Sequence, residues 1–342
     1  MRFGYDVRER PGVTDQPPTD PAIEPDIAVQ IGPVRLKCPI LTASGTCGYA
    51  LEYAPFVDLS RLGGFTTKSV TLKPRPGNAP PRVVETAGGM LNAIGLANVG
   101  LDAFLAEKVP DIEKLGTQVF VNVAGHAIDE YVEVCRRVDG VPCIAGVELN
   151  VSCPNVADGL TFGRDAEKLR ELVRAVRPVV RRGALIVKLS PNVTDIRRTA
   201  RAAIDGGADA LSLVNTFLGM AIDVETKRPV LANGVGGLSG PAIKPLAVHL
   251  VHEVYRDVAR GAGVPIIGIG GIRCWQDAVE FMLAGATAVS VGTALYVDPT
   301  VPIQIIDGLT AYLKRHGLSR VGDIVGGCLG PSPRHAEDGA SG

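Results

Sequence analysis

ELNVSCPNV, residues 148–156, alternates apolar with polar side chains and then breaks off. Val147, Leu149 and Val151 alternate with Glu148 and Asn150 at the period of a strand, and Cys153, Pro154 and Asn155 halt the ladder, since proline has no amide hydrogen to donate. A cysteine and two asparagines therefore stand where a strand hands over to a loop, which is where barrel enzymes assemble active sites. A lone cysteine is ordinarily packing material, and it is the polar setting that makes Cys153 a candidate for chemistry.

Outward from this strand, eight β-branched or apolar runs fall near 38–43, 64–68, 118–123, 144–150, 184–189, 209–214, 264–269 and 287–292. Helical patterns follow most of them, clearest at 101–115, 128–138, 165–182, 195–205, 241–259, 275–284 and 301–315, with Asp165 and Thr194 as plausible caps. Eight alternations of buried strand and amphipathic helix predict an α/β fold, a (β/α)8 TIM barrel with insertions at its C-terminal face. A doubly wound sheet would carry GxGxxG after its first strand, and none is present. Residues 69–100, rich in proline, glycine and asparagine, are too long for an ordinary connection and read as a lid or a wall of the site. The proline-rich residues 1–28 read as a flexible extension, 29–327 as the barrel and 328–342 as a disordered tail.

The totals exclude several functions. With 342 residues, 46% hydrophobic and 21% charged, the chain can bury a large core as one domain, and a formal net charge of -1 speaks against a nucleic-acid footprint or a polybasic membrane patch. No apolar run approaches the ~20 residues of a membrane span, and the N-terminus is too polar for a signal peptide, so a cytoplasmic protein is expected. Seven cysteines without a CxxC pair offer no zinc or iron–sulfur spacing, and no metal is expected on this chain. His249, His252 and Glu253 share a helical face, which reads as solvated surface.

In a barrel the strand ends form a functional roll: Ser44, Lys68, Ser69, Asn122, Asn150, Lys188, Asn215, Thr216, Gly270, Gly271, Gly292 and Thr293. It is rich in amides and short of carboxylates, which argues against metal hydrolases and glycosidases. Asparagine both donates and accepts, so it suits the alternating N–H and C=O edge of a flavin ring or a cyclic imide. The glycine turns after the seventh and eighth strands lie where barrels commonly bind phosphate. Lys68 and Lys188 end buried strands and need a counter-charge, which a reduced flavin or an anionic substrate would supply.

Longer strings carry a resemblance. ASGTCGYA at 43–50, TTKSVTLKPRPGNAPPRVVET at 66–86, GGMLNAIGLAN at 88–98, ELNVSCPNV at 148–156, VKLSPNVTDI at 187–196, NTFLGMAID at 215–223 and GGLSGPAIKP at 236–245 resemble class 1 dihydroorotate dehydrogenases, with GIGGI at 268–272 and VGTAL at 291–295 extending the match. The wording is nearest to the class 1B catalytic subunit, covering roughly residues 27–316. The resemblance implies an FMN-bearing barrel that oxidises dihydroorotate to orotate in pyrimidine synthesis. By motif, Ser44, Lys68, Ser69, Asn122, Asn150, Lys188, Val214, Gly240, Gly270, Gly271, Gly292 and Thr293 match FMN contacts. Lys68, Asn92, Ala93, Ile94, Gly95, Leu96, Asn150, Asn155, Asn215 and Thr216 match orotate contacts, and Cys153 matches the catalytic base. Class 1B further implies a homodimer core in a heterotetramer, whose partner subunit bears FAD and a 2Fe–2S cluster and delivers electrons to NAD+. The nearest alternatives are a class 1A homodimer that reduces fumarate and a related flavin barrel acting on another dihydropyrimidine. Cys47 departs from the phenylalanine frequent in the family, the N-terminal arm is long, and 258–263 resembles a short insertion.

Overall fold

Near-continuous apolar runs become strands buried on both faces, because a parallel sheet is covered by its own crossover helices. The computed structural model describes residues 24–151, 160–328 and 330. Its core is a closed barrel of eight parallel strands in sequential order: β1 (Ile40–Thr42), β2 (Gly64–Thr66), β3 (Gln118–Val123), β4 (Ile144–Asn150), β5 (Ala184–Lys188), β6 (Ala210–Leu213), β7 (Ile266–Ile269) and β8 (Ala288–Val291). β8 pairs back onto β1 through Val289–Ile40, Ser290–Leu41 and Val291–Thr42. Each strand lies within one of the eight runs expected from sequence.

The outer ring includes α1 (Ile128–Asp139), α2 (Ala166–Val176), α3 (Ile196–Asp205), α4 (Lys244–Val254), α5 (Trp275–Ala284) and α6 (Val301–Arg315). α2 shows why these segments are helical: Leu169, Leu172, Val173 and Val176, spaced i, i+3, i+4 and i+7, are its buried residues. Asp165 caps it, accepting from the backbone N–H of Glu167 and Lys168. At α3 the cap is Asp195, which accepts from Arg197 N–H, and not the Thr194 expected from sequence. Both residue types can cap. It is Asp195 that takes the extended backbone next to the first helical residue.

Two additions shape the ends of the barrel. A hairpin of Val29–Ile31 and Val34–Leu36 packs at the N-terminal end, its Gly32 lying against Ala184 and Asp209. At the other end the 69–100 insertion contributes strands Val83–Thr86 and Gly89–Asn92. These join Phe217–Gly219 and Gly236–Ser239 in a four-stranded antiparallel sheet that sequence reading did not anticipate. Residues 24–26 are tied to the C-terminal segment by a Glu24–Lys314 ion pair at 2.6 Å and by backbone bonds of Asp26 with Ser319 and Val321. Among the described residues no helix is long and apolar enough to cross a membrane.

Candidate active site at the strand ends

Above the C-terminal ends of the strands lies a cavity of about 1090 Å3. Pockets for drug-sized ligands measure roughly 300–1,000 Å3, and this one, at the top of that range, has room for a cofactor and a small substrate together. Of the residues singled out from sequence, Ser44, Lys68, Ser69, Asn92, Ile94, Gly95, Leu96, Asn150, Lys188, Val214, Asn215, Thr216, Gly240, Gly270, Gly271, Gly292 and Thr293 all line it. Ala93 does not: it packs with Leu91 and Leu231, and its carbonyl accepts from Asn78 Nδ2. Asn122 is fully buried behind the wall. Cys153 and Asn155 lie outside the described residues. Asn150, which ends β4 three positions before the cysteine, faces the cavity. The 69–100 insertion is a wall, contributing Val83, Gly89, Met90, Asn92 and Leu96.

The amides are oriented by one another. Asn215 Nδ2 donates to Asn150 Oδ1 at 3.1 Å, Thr216 N–H donates to Asn215 Oδ1 at 2.9 Å, and the Tyr131 hydroxyl donates to the Asn150 carbonyl at 2.9 Å. Two supporting asparagines escaped sequence reading. Asn192 donates to the Thr216 carbonyl and accepts from Leu218 N–H, fixing the segment after β6. Asn98 takes both Thr71 N–H and Gly100 N–H on its oxygen and donates to Thr71 Oγ1 and the Leu96 carbonyl, pinning the base of the wall. The surplus of asparagine visible in the composition of this region thus divides between cavity and scaffold.

Beneath the cavity floor lies a carboxylate absent from the strand-end roll. Glu148, 4% exposed, accepts from Asn122 Nδ2 at 2.7 Å and from Ser212 Oγ at 2.8 Å, one bond on each oxygen. Asn122 in turn accepts from Ser69 Oγ at 2.5 Å. The Lys188 ammonium stands 3.9 Å from Glu148 Oε1. The counter-charge for this lysine, expected from a ligand, is therefore already on the chain. The β-sheet register assembles the group: Asn122 is opposite Glu148 across β3 and β4, and Lys188 is opposite Ser212 across β5 and β6. The signal was the alternation itself, since Glu148 shares a strand face with Asn150.

Glycines form the far end of the cavity. Gly240 and Gly271 have φ of 99° and 74°, and a Cβ on Gly271 would stand 2.8 Å from the Gly240 carbonyl oxygen. Close packing of neighbouring backbone and side chains admits only glycine here, and the tight turns that result line the cavity, as a backbone cradle for a phosphate requires. Asp277, buried on α5, accepts from Arg273 N–H at 2.8 Å and from Lys244 Nζ at 2.8 Å, which fastens the turn after β7 to α4 and α5. Thr293 Oγ1 donates to Ser239 Oγ at 2.8 Å and closes the turn after β8 onto the wall sheet.

Burial pushes the Lys68 ammonium below the usual lysine range, with the Glu52 charge opposing it and that of Arg82 adding to it. Burial pushes the Cys47 thiol up to about 11, which leaves it un-ionised at neutral pH and fits a packing role. Cys38 and Cys135 are shifted in the same direction for the same reason.

This geometry has relatives. A sequence profile described as dihydroorotate dehydrogenase matches residues 26–313. The chain is 52% identical over 305 residues to a protein of Pelobacter propionicus, covering 89% of this chain and 99% of that one. It is 49% identical over 302 residues to one of Bacteroides thetaiotaomicron, covering 88% and 98%. Both carry the name dihydroorotate dehydrogenase B (NAD(+)), catalytic subunit. Among solved structures, a dihydroorotate dehydrogenase of Eimeria tenella in complex with ferulenol superimposes with a TM-score of 0.75 at 26% identity, covering 89% of each chain. With a barrel whose strand ends converge on a glycine cradle and a set of amides, and with relatives matched along nearly their whole length, the chain belongs to the dihydroorotate dehydrogenase family.

Proposed function

We propose that this protein is the catalytic subunit of an NAD-linked dihydroorotate dehydrogenase, oxidising dihydroorotate to orotate in pyrimidine synthesis, as the names of its relatives say of them. The single observation that carries this reading is one cavity in which the glycine cradle, Lys188 and the amides of Asn92, Asn150 and Asn215 meet. The residues present fit FMN: tight glycine turns at Gly240, Gly270 and Gly271 line the cavity for the phosphate, and Ser44, Ser69, Val214, Gly292 and Thr293 line it together with Lys188. When bound, FMN supplies the acceptor for the hydride that leaves dihydroorotate C6.

The chain's own residues do the rest. Asn92, Asn150, Asn155, Asn215 and Thr216 present donors and acceptors that match the imide edge of the pyrimidine, with Ile94 to Leu96 framing it. Lys68 neutralises the substrate carboxylate. Cys153, as thiolate, takes the proton from C5, which is acidified by the neighbouring carbonyl. An ordinary thiol has a pKa of ~8.5, so the chemical step should accelerate as pH rises through that range. Lys188, which lines the cavity, would stabilise the negative charge of a reduced flavin held there.

A separate subunit carrying FAD and a 2Fe–2S cluster would pass the electrons on to NAD+, in an assembly built on a dimer of this chain. The barrel domain of this reading spans 29–327, with 1–28 as an extension and 328–342 as a tail, and the assembly is cytoplasmic. The test is anaerobic stopped-flow mixing of the yellow protein with dihydroorotate. Rapid flavin bleaching is expected, slowed by at least about a hundredfold in Cys153→Ala; bound FMN with no bleaching would mean a flavin barrel for another substrate.

A further inference from the structure

We propose that Glu148 is a positioning residue for flavin redox chemistry: it tethers Lys188 and damps the positive charge that this lysine presents to the flavin, which lowers the potential of the bound cofactor. The proposal deepens the function given above and rests on Lys188 facing the flavin.

A lysine at 6% exposure is costly unless a partner compensates it. Here the partner is Glu148, with side-chain exposures of 7% and 5% for the lysine and glutamate. The separation of 3.9 Å makes this an ion pair rather than a hydrogen bond, while Oε1 accepts from Asn122 at 2.7 Å and Oε2 from Ser212 at 2.8 Å. Those two donors fix the carboxylate below the lysine, so the ammonium keeps its protons free for the cavity, which it lines.

The charge balance gives the functional consequence. A lone lysine would make the site positive before electrons arrive and neutral afterwards, favouring reduction strongly. With Glu148 in place the same site is neutral before and negative afterwards, so reduction is favoured less. A weak oxidant such as NAD+ can be reduced only from a flavin that is not held too tightly in its reduced form. Asn122 belongs to this device as well. It sits behind the wall, receives Ser69 Oγ at 2.5 Å and passes a hydrogen bond to Glu148, so it connects a cavity-lining hydroxyl to the buried carboxylate.

The test is the equilibrium potential of FMN bound to the full chain, measured by dye titration in wild type, Glu148→Gln, Lys188→Met and the double variant. Glutamine keeps the shape and can still accept from Asn122 and donate to Ser212. Glu148→Gln should favour the reduced form at least tenfold more than wild type does, a rise of about 30 mV for a two-electron couple. Lys188→Met should shift it the opposite way, and the double variant should lie between. Where Glu148→Gln alone does not accumulate, the neutral double variant set against Lys188→Met makes the same comparison, and equal potentials in the two would sink the proposal. An unchanged potential in Glu148→Gln, with Lys188→Met displaced, overturns the role of Glu148 alone. An unchanged potential in both variants refutes the placement of Lys188, and a wild-type chain that retains no FMN refutes the function on which the proposal rests.

Discussion

Lys68 and Lys188 are both lysines at strand ends, and the structure gives them different tasks. Lys188 has a carboxylate beneath it, whereas burial lowers the affinity of Lys68 for its proton. If the Lys68 ammonium holds the substrate carboxylate, its charge is present below its lowered pKa and is lost as pH rises through it. KM for dihydroorotate should therefore climb with alkalinity from a point below the ordinary lysine value of ~10.4. Arginine keeps its charge throughout, so Lys68→Arg should give a KM that is higher but level with pH, as steady-state kinetics across the alkaline range would reveal. Parallel profiles for the two proteins would remove Lys68 from substrate binding. At this scale the sequence displayed Lys68 and Lys188 plainly. It hid Glu148, although the alternation around it was visible, because a buried charge makes sense only with its partners, and Asn122, Lys188 and Ser212 come from three other strands.

Among the elements, the turn after β7 is tightly constrained. Gly271→Ala would put a side chain at a φ of 74° and within 2.8 Å of the Gly240 carbonyl. The backbone conformation alone costs about 1–2 kcal/mol, and the displaced amide would no longer point into the cradle. FMN affinity should fall at least tenfold, followed by the fluorescence of released flavin. Gly261→Ala, with open space around the added carbon, should leave it unchanged. Most of the eight strands were legible because they are buried on both faces and so are written as near-continuous apolar runs, while β4 showed itself by alternation. The wall sheet was not: Phe217–Gly219 and Gly236–Ser239 are short, glycine-bearing segments, and the pairing of Gly236–Ser239 with Gly89–Asn92 is a long-range event without a local signature. The cap at α3 failed for a milder reason, since Thr194 and Asp195 are both good caps and only the path of the backbone chooses between them.

For the whole molecule, the proposed division of labour yields a direct expectation. The isolated chain, loaded with FMN, should be bleached by dihydroorotate in a single turnover while forming essentially no NADH. Steady NADH production should begin when an FAD- and 2Fe–2S-bearing partner subunit is added. Sustained NADH formation by the isolated chain would show that electrons need no second subunit, and rapid turnover with fumarate would indicate a self-sufficient enzyme instead.

The wall sheet sets a timetable as well as a boundary. Its strands Gly89–Asn92 and Gly236–Ser239 have four of the eight barrel strands between them in sequence, and the glycine turns at Gly270–Gly271 and Gly292–Thr293 come later still. As the chain leaves the ribosome, the cavity is therefore incomplete until its last strands have been made. A flavin mononucleotide that binds in this cavity meets its full set of contacts only on the finished chain.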